Sequence, residues 1–446
     1  MCGIAGLIDT SINSIERDAI LNNMLQAIAH RGPDARGTWY EDALALGQNR
    51  LSIIDLSEEG NQPMFRGDLV IVYNGEVYNY REIRKELESN GAVFHTQSDT
   101  EVILAAYETW GVKCVDRFIG MWAFALWDKK NRILFCSRDR FGIKPFLFVE
   151  QGGRFYFGSE YKALFPSPIF NREINHRQVY RGLQLGWNAY HDETYFTCLK
   201  ALPAAHNLIY QEGQSLKIWR YWDVETSKQH TLSAEEAAMQ FRALFEESIS
   251  LHMRSDVEVG GCLSGGLDSS AIASIVGRDY SSTGFKTFTV YYEGENAVDE
   301  RPWVKEVLKK YSHLDPYYFT PGDDEIRESF AHAIFHADVP LAGSSPISQY
   351  FVMKLAASKG IKVLLDGQGS DEMLGGYMHS FYRLIGGAFR NGRVASMLRE
   401  SSAHADMQDF SAKKKMDVLM KSVLAGVKSE QSLYNLEYLR YLPFLA

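Results

Sequence analysis

Cys2 stands directly behind Met1 in MCGIAGLIDT, and that placement permits an unusual chemistry. Removal of Met1 would leave a thiol and a free α-amine on one residue, a nucleophile carrying its own base; a small buried hydrophobe is the other reading. A thiol of pKa about 8.5 and an α-amine of about 7.7–8.0 are matched well enough for proton transfer near neutrality. In the same half, Arg50 could clamp a carboxylate bidentately and Asp99 could receive an ammonium, while the Asn74 amide with the Gly75 N–H could form an oxyanion hole. Together these groups would recognise an amino acid. Singly, each has a plainer role: Asn-Gly is a common hairpin pair, and Arg and Asp are usually surface residues.

The second half offers a phosphate site. LSGGLDSS, Leu263 to Ser270, follows an apolar strand pattern and opens a helix, so its glycines and free N–H groups suit an anion, and Ser264, Ser269 and Ser270 add hydroxyls. It is no Walker A loop, because the lysine of that pattern is missing. Asp268 among phosphate donors calls for a divalent cation. A tight strand-to-helix turn with a capping serine is the plainer alternative. A later loop, LLDGQGSDEMLGGY, brings Asp366, Asp371 and Glu372 among four glycines. Asp268 and Asp371 could share magnesium on a pyrophosphate, or the acidic residues could simply favour a helix dipole.

Elements must hold these groups. Apolar spacing from Ser14 to Ala29 predicts a helix, and Leu69–Tyr80 begins as a strand. Met121–Asp128, Arg132–Asp139 and Arg154–Glu160 read as successive antiparallel strands. Ser233 and Glu236 form a capping box, which marks the domain boundary. Beyond it, strands at Val257–Leu263, Phe285–Tyr292 and Ile361–Asp366 alternate with helices from Ser269 and Asp299, the pattern of a covered parallel sheet. The 446 residues, 46% hydrophobic and 23% charged, predict a globular chain of two domains or more. A net charge of −9 argues against nucleic acid as a partner. No run suits a membrane span or a secretory leader. Five cysteines without metal or disulfide spacing fit a reducing cytoplasm.

MCGIAG, HRGPD, RLSIIDLS, YNGEVYNY, SDTEV, RDRFGIKPF and FGSEYKAL, in that order, resemble the glutaminase domain of glutamine-hydrolysing asparagine synthetases, and SDVEVGGCLSGGLDSS with DGQGSDEMLGGY resembles their ATP-pyrophosphatase domain. The resemblance implies an α+β N-terminal-nucleophile sandwich, antiparallel sheets between helices, in residues 2–222. A parallel-sheet, Rossmann-like α/β domain is implied in residues 233–446. It further implies that Met1 is lost and Cys2 attacks the side-chain amide of glutamine. Asn74 and Gly75 would form the oxyanion hole, and Arg50, Leu51, Ser52, Ile53, Ile54, Glu76 and Asp99 would bind glutamine. Leu263 and Val290 would flank adenine, Ser264, Gly265, Gly266, Asp268, Ser269 and Ser270 would hold the phosphates, and Asp366 with Gly367 would complete the ATP site. Magnesium would sit on Asp268 and Asp371. Ammonia would pass inside the protein to a carboxylate activated as acyl-AMP, aspartate giving asparagine, and a homodimer is the expected assembly.

Two features depart from the family pattern. Asp366 and Gln368 stand where the family has Ser and Glu, and a neutral amide cannot act as a base, so another acceptor, a sugar acid or a peptide, is the rival reading. An idle regulatory homologue is a third, against which the intact Cys2, Asn74, Asp99, Asp268 and Asp371 speak. The chain also stops at LRYLPFLA, where the family continues and carries a short segment between the equivalents of LRY and LPFL; either the protein is truncated, or residues are missing between Tyr441 and Leu442 and after Ala446, and the sequence is compatible with both.

Overall fold

The computed structural model describes residues 1–227, 231–282, 284–293, 299–341, 343–407 and 411–427, and the LRYLPFLA ending lies outside them. Two compact units are formed, Met1–Leu365 and a second beginning at Asp366.

The first part of the first unit is a sandwich of two antiparallel sheets, each of six strands among the described residues. One runs in the order Lys200–Ala201, Leu147–Gln151, Arg154–Gly158, Gly3–Ile8, Leu44–Arg50, Ala35–Glu41. The other runs Lys217–Arg220, His206–Tyr210, Ile133–Arg138, Gly120–Asp128, Leu69–Val77, Met64–Arg66. The period of two explains why the inner strands are apolar on both faces. Ile4 and Ile8 enter the layer between the sheets with Val70, Val72 and Ala123, whereas Ala5 and Leu7 face Leu21, Met24 and Leu25 of the helix Ser14–Ala27. On the far side, Ile71 and Tyr73 pack under the helices Tyr80–Ser89 and Asp99–Trp110. Antiparallel sheets between helices are therefore the architecture expected for this half.

Ser233 caps the helix Ala234–His252 with the predicted box: its Oγ accepts from Glu236 N at 3.2 Å, and Glu236 Oε2 accepts from Ser233 N at 2.8 Å. Beyond it, four parallel strands among the described residues lie in the order Asp315–Phe319, Lys286–Val290, Val259–Cys262, Val363–Leu365. Helices Leu267–Asp279, Arg301–Lys310, Asp323–Ala337 and Ser345–Ser358 make the crossovers. The strand predicted from Val257 starts at Val259, because the residues before it bond to the sandwich instead: Asp256 N donates to Ile53 O. The phosphate-loop helix begins at Leu267, two residues before the predicted Ser269. In the second unit, helices Ser370–Leu374, Met378–Arg390, Val394–Met407 and Ala412–Val427 bury Ile385, Met397 and Val418.

A buried ionic chain joins the sandwich to the rest of the first unit. Glu160 Oε1 accepts from Arg31 Nη1 at 2.7 Å and lies 3.1 Å from His30 Nε2, while Lys162 pairs with both Glu160 and, at 3.0 Å, Asp338. Burial opposes the Glu160 charge, but hydrogen bonds from His30, the Arg31 charge and Lys162 outweigh it and pull its carboxyl down to about 2. A carboxyl depressed in the folded state stabilises above its unfolded pKa and loses that contribution as pH falls towards the folded value. Glu160→Gln should therefore cost about 3 kcal/mol at neutral pH, by leaving Arg31 and Lys162 under-paired, and the deficit should shrink between about pH 4.3 and pH 2. Urea unfolding of both proteins at several pH values measures it.

Candidate active site

Cys2 opens the strand Gly3–Ile8, whose register sets Gly3 against Asn49, so Cys2 meets the chain leaving the neighbouring strand at Arg50. Leu51 N lies 3.3 Å from the Cys2 sulfur, and the Cys2 carbonyl accepts from Arg31 Nε at 2.9 Å. Burial pushes the thiol up, opposed by the Leu51 N–H. Cys2, Arg50, Leu51, Ile53, Ile54, Gly60, Gln62, Tyr73, Gly75, Glu76, Ser98, Asp99 and Thr100 line one cleft of about 320 Å³ including its open mouth.

Most predicted glutamine contacts thus converge. Asn74 and Gly75 lie on the strand Leu69–Val77, opposite Ala123 and Trp122. The Asn74 Nδ2 is buried without a hydrogen-bond partner, a donor waiting for an acceptor. Gly75 is required: a Cβ there would sit 2.2 Å from Met121 O. Ser52 does not line the cleft, and its N–H is turned to Asp34 at 2.8 Å. Arg50 lines it, yet it is less free than a bidentate clamp would be. Its Nη1 donates to Ser57 O at 2.8 Å and Asn61 Oδ1 at 2.9 Å, and its Nη2 reaches Ile54 O and Asp55 O, so the guanidinium also shapes the loop it belongs to.

Two buried carboxyls face each other's charge. Asp99 Oδ2 accepts from Tyr73 OH at 2.9 Å and Val77 N at 3.0 Å, but burial outweighs these bonds and lifts the carboxyl to about 6. Burial, then the Asp99 charge, pushes Glu76 well above the carboxylate range, against the pull of Lys144. The Glu76 Oε2 is buried without a hydrogen-bond partner. Such a pair suits an incoming ammonium, which would relieve both penalties at once.

Lys144, a buried lysine inside the apolar run FGIKPF, lies within electrostatic reach of Cys2 and Glu76, a placement that sequence reasoning did not single out. It is 5% exposed, and its ammonium touches the Met1 sulfur at 3.1 Å. Burial lowers it to about 8, while the charges of Glu76 and Cys2 act the other way.

In the phosphate loop, Leu263 is fully buried and its N–H donates to Phe288 O at 3.0 Å; Thr289 Oγ1 donates to Leu263 O at 2.5 Å. Leu263 and Val290 therefore lie at the carboxyl ends of adjacent parallel strands, where ligands bind in such sheets. Gly265 has φ +92°, Ser264 Oγ and Ser269 Oγ are 3.1 Å apart, and no side chain caps the helix Leu267–Asp279. An uncapped, glycine-led helix start beside two hydroxyls fits phosphate. Asp268 is in the first turn of that helix. Asp366, Gly367 and Asp371 belong to the second unit, where Asp366 Oδ1 accepts from Gln368 N at 3.3 Å and Asp371 is in the first turn of Ser370–Leu374. Among the described residues no three His, Cys, Asp or Glu side chains gather as a metal site. Magnesium carried on phosphates takes only one or two protein carboxylates, so Asp268, in the first turn of the phosphate-loop helix, fits that chemistry.

Among the described residues no helix is long and apolar enough to cross a membrane. Residues 1–222 match the family model of the glutamine amidotransferase domain, and residues 240–436 match that of asparagine synthase. The Bacillus subtilis protein named asparagine synthetase (glutamine-hydrolysing) 3 is 33% identical over 84% of this chain, which spans 63% of that protein's length. A provisionally named glutamine-hydrolysing asparagine synthetase 2 of Methanocaldococcus jannaschii is 35% identical over 85% of this chain and 76% of its own. An amidase, chyE of Penicillium rubens, is 29% identical over 84% of this chain and 59% of its own. The solved glutamine PRPP amidotransferase of B. subtilis aligns at a TM-score of 0.39 and 15% identity, over 82% of this chain and 90% of that one, too distant a likeness to bear on the site. With both domain models matched in order and a third of residues identical across most of the chain, the protein belongs to the glutamine-hydrolysing asparagine synthetase family.

Proposed function

We propose that this chain, once Met1 is removed, hydrolyses glutamine at Cys2 and delivers the ammonia to a carboxylate activated with MgATP. Aspartate is the proposed acceptor, with asparagine, AMP and pyrophosphate as products. The observation that carries the reading is the gathering of Cys2, Gly75, Glu76 and Asp99 round one cleft, on whose wall strand the Asn74 amide lacks a partner. In this reading the Cys2 sulfur attacks the amide carbon of glutamine while the α-amine takes the thiol proton. Asn74 Nδ2 and Gly75 N–H receive the oxyanion, the amine returns its proton to departing ammonia, and water cleaves the thioester. Glu76 and Asp99 hold the α-ammonium, and Arg50 the α-carboxylate.

ATP supplies the leaving group that a free carboxylate lacks. Leu263, Ser264 to Ser270 and Val290, together with Asp366 and Gly367, are the proposed nucleotide-binding residues, and Asp268 and Asp371 the proposed magnesium carboxylates. A reducing cytoplasm is the proposed compartment, consistent with five free cysteines, and a homodimer the proposed assembly. Gln368 favours a second reading in which the same machinery amidates another carboxylate, since no Glu stands there to act as a base at the acceptor. Pyrophosphate release measured with glutamine, MgATP and a panel of carboxylic acids separates the two: a response to aspartate alone supports the first, and a response only to another acid refutes it.

Cys2→Ala should abolish glutamine-dependent product formation and leave ammonia-dependent synthesis within about twofold of wild type, because the two chemistries use separate residues; initial rates with each nitrogen source check it. The kcat/KM for glutamine should fall as pH drops through about 6, since protonation of Asp99 removes the partner of the substrate ammonium. Asp99→Asn should remove the part of the acid limb that lies near pH 6, leave the part set by protonation of the Cys2 α-amine, and raise the KM for glutamine about 100-fold, measurable in a pH series. Asp268→Asn keeps the shape and loses the charge, so acceptor-dependent exchange of pyrophosphate into ATP should drop at least about 100-fold while glutaminase rate and melting temperature hold.

A further inference from the structure

We infer that Asp256 and Lys362, two residues outside the sandwich, are positioning residues for glutamine, an inference that rests on the glutaminase reading above. The Asp256 N–H donates to Ile53 O at 3.0 Å, and Asp55 N donates to Asp256 Oδ2 at 2.8 Å. One residue thus bridges the peptide groups on both sides of Ile54, and Ile53 and Ile54 line the cleft. The bridge acts where the backbone is hardest to hold. Asp55 has φ +55°, a left-handed conformation uncommon for a residue with a side chain and entered by Asp more readily than by most, which its hydrogen bonds hold in place. Its own carboxylate accepts from Ser57 N at 3.1 Å and Gln97 N at 2.8 Å, and its carbonyl accepts from Arg50. Asp256 supplies the acceptor for the remaining backbone group, the Asp55 N–H.

The other end of the loop is held in the same way. Ser52 N donates to Asp34 Oδ2 at 2.8 Å, and the same oxygen receives Lys362 Nζ at 2.7 Å. Asp256 lies just before the strand Val259–Cys262, and Lys362 directly before Val363–Leu365; these strands are parallel neighbours, Val259 opposite Val363. The amino ends of two adjacent strands therefore grip the Arg50–Asp55 loop, while the carboxyl end of the first carries the phosphate loop. The shape that glutamine meets is set by both halves of the first unit, and the sandwich alone does not fix it.

A contact that only stabilised the fold would lower every activity together; a positioning contact moves the KM for glutamine and spares the ammonia reaction. In the full chain, Asp256→Ala and Lys362→Met should each raise the KM for glutamine about tenfold or more, with kcat and ammonia-dependent pyrophosphate release within about threefold of wild type. Asp256→Asn keeps an oxygen acceptor and should return the KM to within about threefold of wild type. A wild-type KM in a folded Asp256→Ala and in Lys362→Met overturns the inference, as does a parallel loss of both reactions that Asp256→Asn does not rescue. If Asp256→Ala does not fold, Lys362→Met decides by the same two readings. A wild-type chain that turns over ammonia but not glutamine refutes the Cys2 reading itself, and the inference with it.

Discussion

The pairing of Gly3–Ile8 with Leu44–Arg50 is the constraint on which the site depends. Six residues in register from Gly3 opposite Asn49 to Ile8 opposite Leu44 leave Cys2 no choice but to face the turn at Arg50 and Leu51. Because side chains alternate along a strand, a slip of one residue would exchange Ile4 and Ile8 with Ala5 and Leu7 between the two apolar layers, and neither layer would then be filled. The position of Cys2, the proposed nucleophile, is thus fixed by hydrophobic packing at residues outside the cleft.

Electrostatics then makes the cleft selective. Glu76 and Asp99 line the cleft and, among the described residues, neither forms an ion pair, so burial drives both towards the neutral acid. A cleft built this way is unfavourable until a cation enters it, so in the proposed reaction substrate ammonium would be recognised by the penalty it removes. Lys144 and Arg31 provide the opposing charge around Cys2, one beside the Met1 sulfur and one on the Cys2 carbonyl. The same arginine belongs to the chain through Glu160, Lys162 and Asp338, so the backbone of the nucleophile is tied to a helix end in the other half of the unit.

Residues whose role depends on a local pattern were legible in sequence, and those whose role depends on a distant contact were not. The Ser233 capping box, the strand leading into LSGGLDSS and the helix from Ser14 are short-range signals, and each is present. The strand Ala35–Glu41 and the strand Leu44–Arg50, which carries Arg50 to Cys2, carried too little alternation to stand out, because the second is buried along its whole length. Arg50 read as a free clamp because nothing local says that Ser57, Asn61 and Asp55 would hold its guanidinium. Lys144, Asp256 and Lys362 acquire their contacts only when segments more than 100 residues apart meet, as with Lys362 and Asp34.

Nitrogen released at Cys2 should reach an activated carboxylate on the same protein. The most direct measurement supplies glutamine with a heavy-nitrogen amide together with an excess of ordinary ammonium, MgATP and the acceptor, and reads the isotope in the product amide by mass spectrometry. Product enriched in heavy nitrogen far beyond the proportion in bulk solution is the expected result. Product whose amide carries only the bulk isotope ratio would contradict it.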